Sequence, residues 1–256
     1  MMLKDLIMTE WVKGKVIQIE KFEHNLFKLI INAPISKFIA GQFSKLSIKK
    51  NNQKRIQKAY SYVNAPKEKN LEFFIKRIPL GKMTTELYKL NPGDNIDISK
   101  NSFGFFTIHE IPDKEVLWMF ATGTAIGPFC SILNDGTKLN QFKKIILIYA
   151  VRYSKELIYL PFLKKMKIKY QNQLEYEIIV SGEKYKNSLS GRIPYLLYKN
   201  SIEKKIGCQI NPKNSHVMLC GNPNMIKETE SFLIKHRGLK KHLRRTPGNI
   251  SNEHYW

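Results

Sequence analysis

The stretch KAYSYVNAP, Lys58 to Pro66, sets a cation, two phenol rings and a hydroxyl close together on what reads as one strand. In a strand Tyr60 and Tyr62 share one face, Ser61 and Val63 take the other, and Asn-Ala-Pro ends the run. Half-buried barrel packing is the common cause of a lone Tyr-Ser-Tyr. ATGTAIGPF (121–129) is a Gly/Thr loop that enters a helix at Pro128. Its amides could meet a diphosphate at a helix start, although it lacks the GxGxxG spacing. Arg152, and Arg192 in SLSGRIP, carry planar forks suited to phosphate; solvated surface positions are the plain alternative. Cys220-Gly221-Asn222-Pro223 follows a very apolar run, so Cys220 is either a small buried hydrophobe or a group at a ligand edge. GKMTTEL (81–87) offers Thr84 or Thr85 as a helix cap beside free amides. The chain closes on EHYW, two rings that dock either on the protein's own core or on a flat ligand.

These groups need a scaffold with two grammars. Up to about residue 110, short β-branched and aromatic runs alternate with turn chemistry: Val16 to Glu20, Leu26 to Ile31, Phe43 to Ile48, Tyr60 to Val63 and Leu71 to Ile78. NAPISKF, AGQ, NNQ, NAPKEKN and NPGDN read as turns. One helix, TTELYKL (84–90), interrupts them and stops at Asn91-Pro92-Gly93. Six or so strands at this spacing predict an antiparallel barrel. From residue 116 onward, continuous apolar runs alternate with helical segments: VLWMFA (116–121), IILIYAV (145–151), YEIIVS (176–181) and HVMLC (216–220). Such runs predict strands of a parallel sheet buried on both faces, with GNPNMI opening a helix that runs to about Arg237. Ligands of such sheets bind beyond the strands' carboxyl ends, which is where the Gly/Thr loop, Arg152 and Cys220-Gly221-Asn222-Pro223 fall.

Composition narrows the chemistry. The 256 residues suffice for one large or two ordinary domains, and no apolar run nears the ~20 residues of a membrane span. MMLKDLIMTEWV does not read as a secretory signal, so a cytoplasmic location is expected. Three scattered cysteines, without a CxxC pair, leave any electron chemistry to an organic cofactor and point to no metal. Lys+Arg of 43 against Asp+Glu of 21 gives a net charge of +22, which fits an acidic partner. Codon bias toward Lys, Asn and Ile explains it equally. The lysines are spread along the chain, so charge alone does not indicate nucleic acid.

Taken in order, RIQKAYSYVNAP, LGKMTTEL, FATGTAIGP, YAVRY, SGRIP, HVMLCGNPNM and KHLRRTPGNISNEHYW resemble the bacterial ferredoxin(flavodoxin)–NADP reductases. The resemblance runs from about Trp11 to Trp256, leaving residues 1–7 as an extension. It implies an FAD-binding antiparallel six-stranded barrel over residues 1–109 and an NADP-binding α/β domain with a parallel sheet over 110–256, whose C-terminal segment returns to the flavin. The family's flavin motif falls on Lys58, Ala59, Tyr60 and Ser61, with Tyr60 stacking on the isoalloxazine and Ser61 hydrogen-bonding near N5. Further flavin contacts fall on Phe74, on Lys82, Met83 and Thr84 at the diphosphate, and on Thr124. Tyr255 and Trp256 would cover the other flavin face or the adenine. The 2′-phosphate arginines land on Arg152 and Arg192, while Cys220, Gly221, Asn222, Pro223 and Asn224 would line the nicotinamide side. Ser61, Glu253 and Cys220 would tune N5 protonation and nicotinamide placement.

Two positions depart from the family. Lys58 stands where the family has arginine, which keeps the charge but loses the bidentate fork. Gly182 stands where a third phosphate arginine is expected; losing one charge-assisted contact costs about 1.5–3 kcal/mol and weakens the preference for NADPH over NADH. Lys184 or Lys186 is the available substitute. The resemblance implies hydride transfer from NADPH to FAD and single-electron delivery to flavodoxin or ferredoxin, by a monomer that binds neither nucleic acid nor membrane. Two alternatives stay open: a flavin-dependent NAD(P)H oxidoreductase serving a siderophore or an oxygenase, and a basic binding protein with decayed cofactor sites.

Overall fold

The structure is a computed structural model that describes residues 9–48 and 55–255. The extension 1–7, the NNQ turn and Trp256 lie outside the described residues. Strands β1 (Trp11–Lys21), β2 (Leu26–Asn32), β3 (Phe43–Ile48), β4 (Ile56–Ser61), β5 (Leu71–Lys76) and β6 (Asn95–Ser99) form an antiparallel sheet in the order β4-β3-β6-β1-β2-β5. The sheet curls until its edges meet, where the Val63 N–H donates to the Glu72 carbonyl at 2.9 Å. A bulge between Val16 and Gln18 in β1 adds the local twist that such closure needs. Phe27, Leu29, Ile31, Leu46, Phe73 and Ile98 fill the interior. Tyr62 joins them, fully buried, with its ring stacked on Phe38 at 3.9 Å. Its hydroxyl donates to Ser44 Oγ at 2.7 Å and lies 2.9 Å from Ser102 Oγ, so this half of the Tyr-Ser-Tyr stretch is barrel packing.

Two expectations shift here. β4 starts at Ile56 rather than Tyr60, and helix α1 spans Lys82–Lys89 rather than 84–90. Gly81 is its N-cap, so neither Thr84 nor Thr85 caps it. Thr84 sits inside the first turn, where its Oγ1 accepts from the Ile78 N–H at 3.0 Å and fastens the preceding loop. β6 was not legible as a strand because its centre is the buried Asp97. That carboxylate is held by Lys13 at 2.7 Å and Arg55 at 2.8 Å, partners remote in sequence.

The second half is a parallel sheet of β7 (Val116–Thr122), β8 (Lys144–Val151), β9 (Leu174–Val180), β10 (Ser215–Gly221) and β11 (Ile250–His254), ordered β11-β10-β7-β8-β9. Alternate residues of β7 feed two separate cores, Leu117, Met119 and Ala121 on one face and Trp118 and Phe120 on the other. Helices α2 (Gly127–Asp135) and α3 (Leu160–Tyr170) cover the first face through Phe129, Leu133 and Leu163. Helices α4 (Ile193–Tyr198), α5 (Ser201–Ile206) and α6 (Pro223–Arg237) cover the second through Leu196, Ile202 and Leu233. Both faces being covered explains the unbroken apolar runs. The first core continues into barrel residues Leu26, Ala40, Val63 and Phe74, so the two halves share packed apolar contacts. β11 is an edge strand with one buried residue, Ile250, and carried no apolar signal.

Candidate active site

The strand order reverses at β7, whose neighbours are β8 and β10. Connections therefore diverge to opposite faces and leave a crevice at the carboxyl ends, the usual ligand position in such sheets. Two clefts open there. The first, about 720 Å³, lies between the barrel and the C-terminal strand. Lys58, Ala59, Tyr60 and Ser61 from β4 line it, with Phe74 from β5, Lys82, Met83 and Thr84 from α1, Thr124, Glu253 and Tyr255. The second, about 520 Å³, is lined by Gly123, Thr124, Arg152, Arg192, Asn222 and Asn224, among others. Phe74, Lys76, Ile78 and Thr124 line both, so the clefts abut across these four side chains.

The first cleft combines aromatic and aliphatic side chains with a few polar and charged ones. Lys58 and Lys82 are exposed along it and make no ion pair among the described residues, which leaves both cations for an anionic ligand. At the inner end, Ser61 Oγ donates to Glu253 Oε1 at 3.1 Å. Burial pushes the Glu253 carboxyl up to about 7, while the Ser61 hydroxyl pulls the other way. This carboxyl therefore changes charge near neutral pH. Cys220 pairs with Glu253 across β10 and β11. Burial, and then the Glu253 carboxylate, raise its thiol well above the ordinary value, so it remains a neutral thiol.

The second cleft brings a glycine loop and two arginines together. Gly123 has φ +56, and a Cβ there would meet no protein atom within 4 Å, so a side chain would stand in the cleft instead of packing. Arg152, just past β8, and Arg192, the N-cap of α4, are exposed and free of carboxylate partners among the described residues. Asn222 caps α6, accepting from the Asn224 N–H at 2.9 Å, and its own N–H donates to Thr122 Oγ1 at 2.9 Å.

Not every expected residue reaches a cleft. Cys220, Gly221 and Pro223 line neither: Cys220 is buried in the core on one face of the sheet, Gly221 packs against Thr122, and Pro223 opens α6. Cys220 points into the core that holds Ala121 and Cys130. Gly221, at φ +138, lies against Thr122, whose hydroxyl a Cβ would strike. Gly182 donates its N–H to the Arg152 carbonyl at 2.7 Å, and its absent Cβ would fall 2.7 Å from that same oxygen. Lys184 and Lys186 are exposed outside the lining of the second cleft. Sequence reading missed Lys76, Ile78 and Glu156, which lie between motifs and carry no local signature.

The barrel and the parallel sheet correspond to the two domains of an oxidoreductase that uses a flavin and a nicotinamide dinucleotide. Residues 13–106 match the oxidoreductase FAD-binding domain and residues 119–231 the oxidoreductase NAD-binding domain. A flavodoxin/ferredoxin–NADP reductase of Buchnera aphidicola subsp. Baizongia pistaciae is 53% identical over 249 residues, covering 97% of this chain and 100% of its own. The corresponding enzyme of Escherichia coli (strain K12) is 44% identical with the same coverage. A ferredoxin NADP+ reductase from Neisseria gonorrhoeae, solved with bound FAD and NADP, superposes with a TM-score of 0.90 at 32% identity, covering 96% of this chain and 99% of that one. The chain belongs to the flavodoxin/ferredoxin–NADP reductase family.

Proposed function

We propose that the first cleft holds FAD, that the second holds NADPH, and that the chain passes electrons from NADPH to an acidic flavodoxin or ferredoxin. The observation that carries this reading is the shared wall of Phe74, Lys76, Ile78 and Thr124, which brings occupants of the two clefts side by side. The flavin, when bound, supplies the conversion between a two-electron hydride and single electrons.

The chain's own residues bind, orient and hold a proton. Tyr60, Phe74 and Tyr255 offer aromatic surface to a flat ring system. Lys58 and Lys82 neutralise a diphosphate, with Met83 and Thr84 forming the turn beneath it and Ala59 leaving room beside it. Arg152 and Arg192 grip the 2′-phosphate that distinguishes NADPH from NADH. Asn222 and Asn224 face the dinucleotide, whereas Cys220 and Gly221 end β10 and Pro223 opens α6. The Ser61–Glu253 pair stores a proton at the inner end of the flavin cleft. We assign the Tyr255 ring to the flavin side.

The flavin domain is read as residues 1–109 and the dinucleotide domain as 110–256. No helix among the described residues is long and apolar enough to cross a membrane. We read the enzyme as a cytoplasmic monomer whose charge of +22 steers acidic electron carriers, an attraction that weakens with salt. The test is an anaerobic visible spectrum of the purified protein with NADPH and, in parallel, NADH, followed by oxidised flavodoxin or ferredoxin. Faster bleaching of a flavin spectrum by NADPH, reversed by the acceptor, is the expected result. A protein that stays colourless after FAD is added would overturn it.

A further inference from the structure

The turn that carries Arg152 is fastened from both halves of the molecule. Within the dinucleotide half, the Gly182 N–H donates to the Arg152 carbonyl at 2.7 Å, and Glu183 Oε1 accepts from the Ser154 N–H at 2.6 Å. From the barrel, His24 stacks on Tyr153 at 4.7 Å, and Glu23 pairs with Lys155 at 2.8 Å. The link between these sets is Glu156, only 5% exposed. Its Oε2 accepts from the N–H of Arg152 at 2.9 Å and of Tyr153 at 3.2 Å. Its Oε1 accepts from Lys76 Nζ at 2.8 Å. Lys76 is the last residue of β5 and lines both clefts.

One carboxylate thus has one oxygen on the backbone of the phosphate arginine and the other on a barrel cation. Burial alone would raise the Glu156 carboxyl, but the Lys76 ammonium and the two backbone donors outweigh it and hold it below the ordinary value. Without Lys76 the carboxylate would be left buried with two amides for compensation, a costly state. Protonation, an inserted water or a turned side chain would relieve it, and each of these loosens the peptide of Arg152.

We propose that Lys76 and Glu156 are positioning residues for recognition of the 2′-phosphate: the flavin barrel, through this ion pair, sets the backbone from which Arg152 reaches the dinucleotide. This rests on the assignment of Arg152 as a phosphate ligand. It makes dinucleotide selectivity depend on a barrel residue that need not touch the phosphate.

The test is calorimetric titration of the FAD-loaded protein with 2′-phospho-AMP and with AMP, together with hydrogen exchange of the Arg152–Tyr153 amides. The wild type should bind the phosphorylated ligand more tightly. Lys76→Met should weaken 2′-phospho-AMP about tenfold, the scale of coupling within one hydrogen-bonded network, with AMP changed less than about twofold. It should also speed exchange of the two amides, and Lys76→Arg should restore both readouts. In a Glu156→Gln background Lys76→Met should add little. Additive losses, or unchanged amide exchange, would mean that Lys76 acts as a direct charge, and would overturn the proposal while leaving Arg152 as the phosphate ligand. Equal binding of the two ligands by the wild type would overturn both assignments. Lys76 is well exposed, with 41% of its side-chain surface accessible, so Lys76→Met is expected to fold, and the exchange readout decides even if Glu156→Gln does not.

Discussion

Replacing Glu253 by glutamine should make the protein's stability less dependent on pH between about 4.5 and 7. The carboxyl titrates near 4.5 in water and at about 7 in the fold. Between these values the folded state binds more protons than the unfolded chain, so stability falls as pH rises. The stabilisation is fully present below about pH 4.5 and lost as pH rises through about 7. At about 1.4 kcal/mol per pH unit the gap corresponds to about 3.5 kcal/mol, reduced to roughly 2 by partial solvent screening. Glutamine keeps the size and an oxygen to accept from Ser61, but it carries no charge at any pH. Urea unfolding of wild type and Glu253→Gln at pH 5 and pH 8 measures the effect. Relative to wild type, the variant should gain roughly 2 kcal/mol between the two conditions, a midpoint change on the order of 0.5–1 M. Parallel pH profiles would refute the reasoning, because they would mean that the Glu253 carboxyl is not protonated in preference to its unfolded form.

Other outcomes follow from the same geometry. Arg152→Ala and Arg192→Ala should each raise the KM for NADPH by about 10- to 100-fold, the loss of one charge-assisted contact, with little effect on NADH in steady-state assays. Gly182→Arg should not sharpen NADPH selectivity, since its Cβ would meet the Arg152 carbonyl at 2.7 Å and displace the turn; the NADPH-to-NADH ratio of kcat/KM reads this directly. Lys58→Arg should slow FAD loss during dialysis, because a bidentate fork replaces a point charge. Reduction of an acidic carrier should slow between 50 and 500 mM salt, while bleaching by NADPH changes less; equal salt dependence would speak against electrostatic steering.

Local chemistry made much of this protein legible. The period-two strands before residue 80, the unbroken apolar runs from Val116 and the turn residues between them encode a barrel followed by a parallel sheet. Lys58 to Ser61, the Gly/Thr loop, Arg152 and Arg192 were ambiguous one by one and stood out as candidate ligand groups only through the motif order the chain shares with a family; the fold places all of them along the two clefts. What stayed hidden depended on partners distant along the chain. β6 is stabilised by ion pairs from Lys13 and Arg55 to Asp97, and β11 by its parallel neighbour β10, which only the assembled sheet supplies. Cys220 looked like a cleft residue, but the core packed on its face of the sheet buries it. Glu253 acquires its raised carboxyl from burial against Ser61, 192 positions away, and Glu156 its lowered one from Lys76 in the other half of the molecule. Sequence determines which groups are available and the elements that carry them. Tertiary structure decides which are desolvated and which are paired, because burial and pairing depend on distances that no local spacing fixes.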